Sequence, residues 1–276
     1  MFGDTLEDGT AIYRRVPERP FATLLFSHGY AEHAERHVAT LGYFAARGIA
    51  AYAYDLRGHG RSPGTRGFVR RFDELVETSL VLRERIALEH PAADHFLMGY
   101  SLGGLLALRS AQADPRGLAG VIVVAPGLGV ASGVPPILRR LGVAVGIVAP
   151  HVPVARLRLR SLRPGDAALA TVEGHRIPRD PSIAARTAAE TMRASHAAFA
   201  AAGEWTLPAL LVHGERDRVV RIAGPRRFAA LTPPGDVTFR EIPYGDHDLL
   251  SGRDGDAVRA EIVAWIRERS RGRLAE

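Results

Sequence analysis

Short β-rich runs recur along this chain, at residues 11–16, 23–27, 49–54, 95–100, 118–125, 209–213 and 237–242, with longer runs of helical spacing between most of them. Alternation of this kind marks a mostly parallel sheet covered by helices on both faces, because each parallel connection must cross over the sheet. Helices are expected over 36–47, 72–89, 102–113, 224–231 and 255–268, the last with Val258, Ile262, Trp265 and Ile266 on one face. Ligands should gather beyond the carboxyl ends of such strands. With 276 residues, the chain suffices for one large α/β domain carrying an insertion.

The alternation breaks between about residues 127 and 204, a stretch far too long for an ordinary crossover. An inserted cap is expected at 127–204, with the core formed by 1–126 and 205–276. Residues 134–154 are rich in valine, proline and glycine and carry Ile137, Leu138, Leu141, Ile147 and Val148. Arg139, Arg140, Arg156, Arg158, Arg160 and Arg163 lie within or just beyond that stretch. An apolar element rimmed by arginine can rest on a membrane interface or close over an oily substrate. Packing against the main domain, with the arginines solvated, is the plainer alternative. Residues 179–199 read as helix.

Composition removes several chemistries. No cysteine occurs, which excludes disulfides, thiolate nucleophiles and cysteine-ligated zinc, and the absence of lysine excludes Schiff-base catalysis. The histidines show no paired ligand spacing, so neither a metal nor a cofactor is expected. The net charge of +6 suits approach to anionic lipid. Zinc-finger spacing, RNP aromatics and basic heptads are missing, so no nucleic-acid partner is expected. Residues 1–9 are acidic and lack the pattern of a signal peptide, and no apolar run reaches the roughly 18 to 20 residues that span a bilayer. A cytoplasmic location is expected, with transient contact between the cap and a membrane surface.

Gly99-Tyr100-Ser101-Leu102-Gly103 joins the apolar run Phe96-Leu97-Met98 to a helix-like stretch. A strand that turns sharply into a helix at a glycine-flanked serine exposes the hydroxyl at the sheet's carboxyl edge, which makes Ser101 a candidate nucleophile. A glycine-flanked serine is also a common plain turn. To attack an ester near neutral pH the hydroxyl needs a base, and the base an orienting carboxylate, in the chain order serine, acid, histidine. Asp217 follows the strand run at 209–213 and is the favoured acid; a turn or cap aspartate explains its spacing equally well, and Glu215 competes. His247, in the loop before the last helix, is the sole histidine after Asp217 and the candidate base. Asp246 and Asp248 flank it, and either could stand in as the acid. The run at 23–27 ends in His28-Gly29-Tyr30, so the amides of Tyr30 and Leu102 are the expected oxyanion donors.

With these residues in place the chain resembles the α/β-hydrolase superfamily. The resemblance rests on His28-Gly29, Asp55-Leu56-Arg57-Gly58-His59-Gly60-Arg61-Ser62, the Ser101 motif, His213-Gly214 with Asp217-Arg218-Val219-Val220, and Asp246-His247-Asp248. Within that superfamily it looks like the monoacylglycerol lipase and lysophospholipase group, also described as serine aminopeptidase-like hydrolases. His28-Gly29-Tyr30-Ala31-Glu32-His33, Ser62-Pro63-Gly64-Thr65-Arg66-Gly67 and Ala125-Pro126 carry that closer likeness. It implies an α/β-hydrolase fold, Ser101, Asp217 and His247 as the triad, and Tyr30 and Leu102 as oxyanion amides. It also suggests that Glu32 and Arg36 line a polar pocket end where a glycerol-like head sits, the alternative being a helix-start acid and a solvated arginine. His28, His59 and Asp55 are then structural, and the flanks of His247 are more acidic than the family pattern.

The activity implied is hydrolysis of carboxylic esters through an acyl-enzyme on Ser101, with monoacylglycerols, small lipid-like esters, as the best-fitting substrates. Lysophospholipids remain open, as do perhydrolase, carbon-carbon hydrolase and peptidase activities on the same framework. A noncatalytic binding protein with this fold is the reading from a different class; such proteins generally lack a triad member, whereas all three are present here.

Overall fold

Side chains of the central strands alternate between two apolar layers, and that alternation organises the molecule. The computed structural model describes residues 2–129, 135–156, 182–235 and 237–270. Its strands are β1 (Phe2–Thr5), β2 (Ala11–Arg15), β3 (Ala22–Ser27), β4 (Ile49–Tyr54), β5 (Asp94–Tyr100), β6 (Leu118–Val124), β7 (Pro153–Arg156), β8 (Ser182–Ala184), β9 (Ala209–Gly214) and β10 (Val237–Ile242). Its helices are α1 (Val38–Ala45), α2 (Phe72–Glu89), α3 (Leu102–Ala113), α4 (Pro136–Val148), α5 (Ala185–Ala200), α6 (Ala223–Leu231) and α7 (Gly255–Ser270). Eight strands form one sheet in the order β1-β2-β4-β3-β5-β6-β9-β10, with β2 antiparallel to its neighbours and the strands from β4 to β10 parallel.

On one face Leu25, Leu97, Val121 and Leu211 pack beneath α2 and α3; on the other Phe26, Phe96, Met98 and Val212 meet Leu41 and Phe44 of α1 and Ile262 and Trp265 of α7. Each such side chain, fully withdrawn from water, stabilises the fold by about 1.5–3 kcal/mol before the entropy of ordering it is counted. The strand and helix expectations agree with these elements to within a residue or two, apart from α1 and the start of α5. There a 3₁₀ turn, Ala34–His37, comes first, where the Ala34 N–H donates to the Asp55 carboxylate at 2.7 Å. The edge strand β1 was not expected; it forms by backbone pairing with β2 rather than from an apolar pattern.

Between β6 and β9 the chain leaves the main sheet. α4 packs on α5, whose Ala185 carbonyl would lie 3.0 Å from a Cβ on Gly146, and β7 pairs with β8 in a small separate ladder. α5 is not set apart from the core: Ala194 and Ala198 belong to the same apolar cluster as α2 and α3. Glu190 and Thr187 of α5 accept the Phe72 and Val69 N–H groups at 2.9 Å each. The helix expected at 179–199 starts only at Ala185, because Ser182–Ala184 pair with β7 as strand β8 instead of continuing a helical turn, and 179–181 lie outside the described residues. Arg158, Arg160 and Arg163 also lie outside them, as does Val134.

The chain reverses between β3 and β5, which flank the point where strand order switches direction, and the loops after these strands share one edge of the sheet. Close backbone contact makes this possible. A Cβ on Gly99 would sit 1.9 Å from the Gly103 carbonyl oxygen, and one on Gly103 would sit 2.0 Å from that of Ser27. Nearby, His28 Nδ1 donates to the Gly29 carbonyl at 2.7 Å and its Nε2 accepts the Leu56 N–H at 3.0 Å, pinning the loop after β3 to the loop after β4. The buried His59 ring stands edge-on to His28 and Tyr30.

Gly103→Ala should lower stability by about 2 kcal/mol or more, read from denaturant unfolding, because backbone and not a pliable side chain must move. A pH dependence follows from His59, whose burial, helped by the charge of His28, pushes its pKa down to about 4. In the unfolded chain an imidazole takes its proton near pH 6.5, so between those values the unfolded state binds the extra proton. The stability contributed by the neutral ring is complete above about pH 6.5 and declines as the pH falls toward 4. Melting temperature should therefore drop across that window, less steeply in His59→Gln; equal slopes would show that His59 plays no part.

Candidate active site

The turn from β5 into α3 holds Ser101 at φ 53° and ψ −115°, a left-handed conformation that costs a non-glycine residue on the order of 1–3 kcal/mol. Its backbone is fastened on both sides, the Ser101 N–H to the Val124 carbonyl at 3.0 Å and its own carbonyl to the Gly127 N–H at 2.8 Å. The hydroxyl so presented lies 3.0 Å from His247 Nε2, and His247 Nδ1 lies 2.7 Å from Asp217 Oδ2. Since an ionised carboxylate only accepts, Nδ1 carries the proton, and Nε2 is the acceptor for the serine O–H.

The Asp217 side chain is fully buried. Its Oδ1 accepts the N–H groups of Val219 and Val220 at 2.7 and 2.9 Å, so the residue forms a local turn while Oδ2 faces the imidazole. The turn geometry weighed for it from spacing is present, and the same carboxylate also meets His247. Burial by itself would raise its pKa, but hydrogen bonds from His213 and His247, the charge of His247 and the Val220 N–H outweigh that and hold the carboxyl well below the usual range. Of the other candidate acids, Asp248 turns to Arg36 at 2.9 Å, Asp246 is exposed, and Glu215 accepts the Tyr244 N–H at 3.2 Å.

Leu102 opens α3, so its N–H belongs to the helix's first turn, which has no intrahelical acceptor. Tyr30 sits across from it, in the loop after the neighbouring strand, with Ala31 at φ 59° shaping the turn. The Tyr30 hydroxyl donates to the Gly67 carbonyl at 3.0 Å and lies 3.2 Å from that of Ser182 on β8. Burial pushes that phenol up to about 12, which keeps it a donor.

Glu32 is buried, Arg36 is largely so, and both are engaged with the protein. Glu32 Oε1 accepts the Gly29 N–H at 2.5 Å and lies 3.2 Å from His37 Nε2, while Oε2 accepts from Arg36 at 3.0 Å. Burial alone would raise the Glu32 pKa, but the charges of His37, Arg36 and His28 hold it well below the usual carboxylate range. Neither residue is the solvated helix-start acid or arginine that was the alternative.

Two contacts had no usable sequence signal. The Tyr100 ring lies 5.1 Å from the His247 ring, and Arg36 meets Asp248 across 212 residues of chain. His213 was visible only as part of a motif; its Nε2 lies 2.9 Å from the Val220 carbonyl and 3.2 Å from Asp217 Oδ2. Among the described residues no cluster of three or more histidine, aspartate or glutamate side chains could hold a metal ion, and no helix is long and apolar enough to cross a membrane.

The arrangement can move a proton from an alcohol to an imidazole backed by a carboxylate, the opening step of acyl transfer. Known proteins share the frame. The monoacylglycerol lipase of Mycolicibacterium smegmatis is 28% identical over 247 residues, covering 90% of this chain and 88% of its own. The crystal structure of a monoacylglycerol lipase from Paleococcus ferrophilus superposes with a TM-score of 0.78 at 25% identity, over 94% of this chain and 99% of its own. A soluble variant of monoglyceride lipase from Saccharomyces cerevisiae, solved with a substrate analog, reaches 0.81 at 15% identity, over 98% and 94%, which bears on the fold alone. The family model described as serine aminopeptidase, S33, matches residues 18–254, and the chain belongs to that family, on an α/β-hydrolase fold.

Proposed function

We propose that this protein hydrolyses monoacylglycerols through an acyl-enzyme on Ser101, with His247 as general base, Asp217 as its orienting acid, and the amides of Tyr30 and Leu102 as oxyanion donors. In coarser terms it is a carboxylic ester hydrolase, as the monoacylglycerol lipases related to it are. The observation that carries the reading is the continuous chain from the strained serine through His247 Nε2 and Nδ1 to the buried Asp217, at 3.0 and 2.7 Å.

The chemistry follows from those atoms. As Oγ bonds to the ester carbonyl carbon, its proton passes to His247 Nε2 and the carbonyl electron pair moves onto oxygen, toward the two amides. Collapse of that oxyanion breaks the carbon–oxygen bond to glycerol, and the imidazolium returns the proton to the departing alkoxide. Water then repeats the sequence against the acyl-enzyme, releasing a fatty acid and restoring Ser101. Asp217, ionised throughout, steadies the transient imidazolium.

Residues 127–204 act as the cap in this reading. α4 carries the exposed apolar side chains Ile137, Leu141 and Ile147, suited to a long acyl chain or to brief contact with a lipid surface, as befits a cytoplasmic enzyme acting on membrane-derived lipid. The family description also names peptidases, and the substrate panel discriminates.

Turnover should rank long-chain monoacylglycerol above p-nitrophenyl ester and far above an aminoacyl anilide; preference for the anilide would overturn the lipase reading. Ser101→Ala and His247→Ala should each lower kcat by about four orders of magnitude or more, Asp217→Ala somewhat less, and combined losses should be far from additive. Near-normal turnover in Asp217→Ala would remove it as the acid. Leu141→Ala with Ile147→Ala should lower kcat/KM for long-chain esters about tenfold while leaving acetyl esters nearly unchanged. Equal loss at every chain length would reduce α4 to packing.

A further inference from the structure

Arg36 joins the two loops that carry the opposite halves of the site. It donates to Glu32 Oε2 at 3.0 Å and to Asp248 Oδ2 at 2.9 Å, and the three side chains are only 9, 7 and 10% exposed. Glu32 also holds the Gly29 N–H, next to the Tyr30 amide, and Asp248, which directly follows His247, accepts the Ser251 N–H at 3.1 Å. A forked guanidinium between two dry carboxylates fixes distance and direction in a way that an exposed pair does not, and losing it strands buried charge.

We propose that Arg36 is a positioning residue for hydrolysis: through Glu32 it holds the turn bearing Tyr30, and through Asp248 it holds the loop bearing His247 while offsetting a carboxylate that would otherwise rival Asp217. The proposal rests on the roles given to Ser101, His247 and Asp217 above, and it replaces head-group contact as the work of Glu32 and Arg36.

The charges reach the imidazole's surroundings. Tyr100 packs against His247, and its hydroxyl is held in the protonated form by burial first, with Asp248 and Glu32 reinforcing and Arg36 opposing. His247 thus faces Tyr100 at the end of β5, Ser101 in the turn after it, and Asp217, backed by His213, from the loop after β9. Glu32, Arg36 and His37 stand on the β3 side, with Asp246 and Asp248 on its own loop. Removing the cation favours a protonated imidazole, and removing the Asp248 charge disfavours it. A purely structural strut predicts no such opposition.

The test is the pH profile of kcat/KM for p-nitrophenyl acetate, an ester without glycerol, in the wild type, Arg36→Met, Asp248→Asn and the double variant. Arg36→Met should move the acid limb up by about one pH unit and lower kcat about tenfold, with KM within about twofold. Asp248→Asn should move the limb down, and the double variant should return toward the wild type. Asp248→Asn is isosteric and carries the test where Arg36→Met fails to fold; an unmoved limb there overturns the proposal. So does an Arg36→Met effect confined to KM for glyceryl esters. Fluorophosphonate labelling separates the two levels: a wild type unlabelled at Ser101 overturns the reading of the site and the strut with it, whereas a labelled wild type with unmoved limbs overturns the strut alone.

Discussion

The contact between Gly103 and the Ser27 carbonyl, with Gly99 pressed against Gly103 in turn, lets β5 reverse into α3 while α3 lies directly over β3. Only hydrogen in place of a Cβ permits that approach. From it follow the left-handed backbone at Ser101 and the presentation of its hydroxyl to His247. The strain is held by neighbours that gain nothing from relaxing it, since the Val124 carbonyl and the Gly127 N–H clasp Ser101 from both sides.

Around that hydroxyl the carboxylates divide the work. The Asp217 side chain is withdrawn from water, accepts two backbone N–H groups and the His247 Nδ1–H, and lies beside His213, which together keep its carboxylate ionised. Asp248 is one residue from His247 in sequence yet turned away to Arg36. Local acidity around the imidazole is therefore less than the run Asp246-His247-Asp248 implies, because one charge is paired and another is exposed.

The segment between β6 and β9 also divides. α5 buries alanines in the main core and is bonded to the start of α2 through Glu190, so its position is tied to the body of the fold. α4 leaves apolar side chains exposed and meets the rest chiefly through α5.

Apolar patterning determined most of the sheet and most of its helices, because the nearly unbroken buried runs of β5 and β6 and the apolar face of α7 are written in local order. Candidate nucleophile, acid and base were legible for a similar reason: each stands just past a strand end, where this class of sheet exposes side chains. Edge strand β1 was not legible, since backbone pairing leaves no mark in side-chain order. Nor could sequence show which of Asp217, Asp246 and Asp248 meets His247, or that Glu32 and Arg36 are withdrawn from water. Those outcomes depend on contacts between residues as much as 212 positions apart, made when β3, β9 and β10 bring their loops to one edge. Local pattern sets what each segment becomes; which charges meet is settled by distance in space, which the order of residues along the chain does not contain.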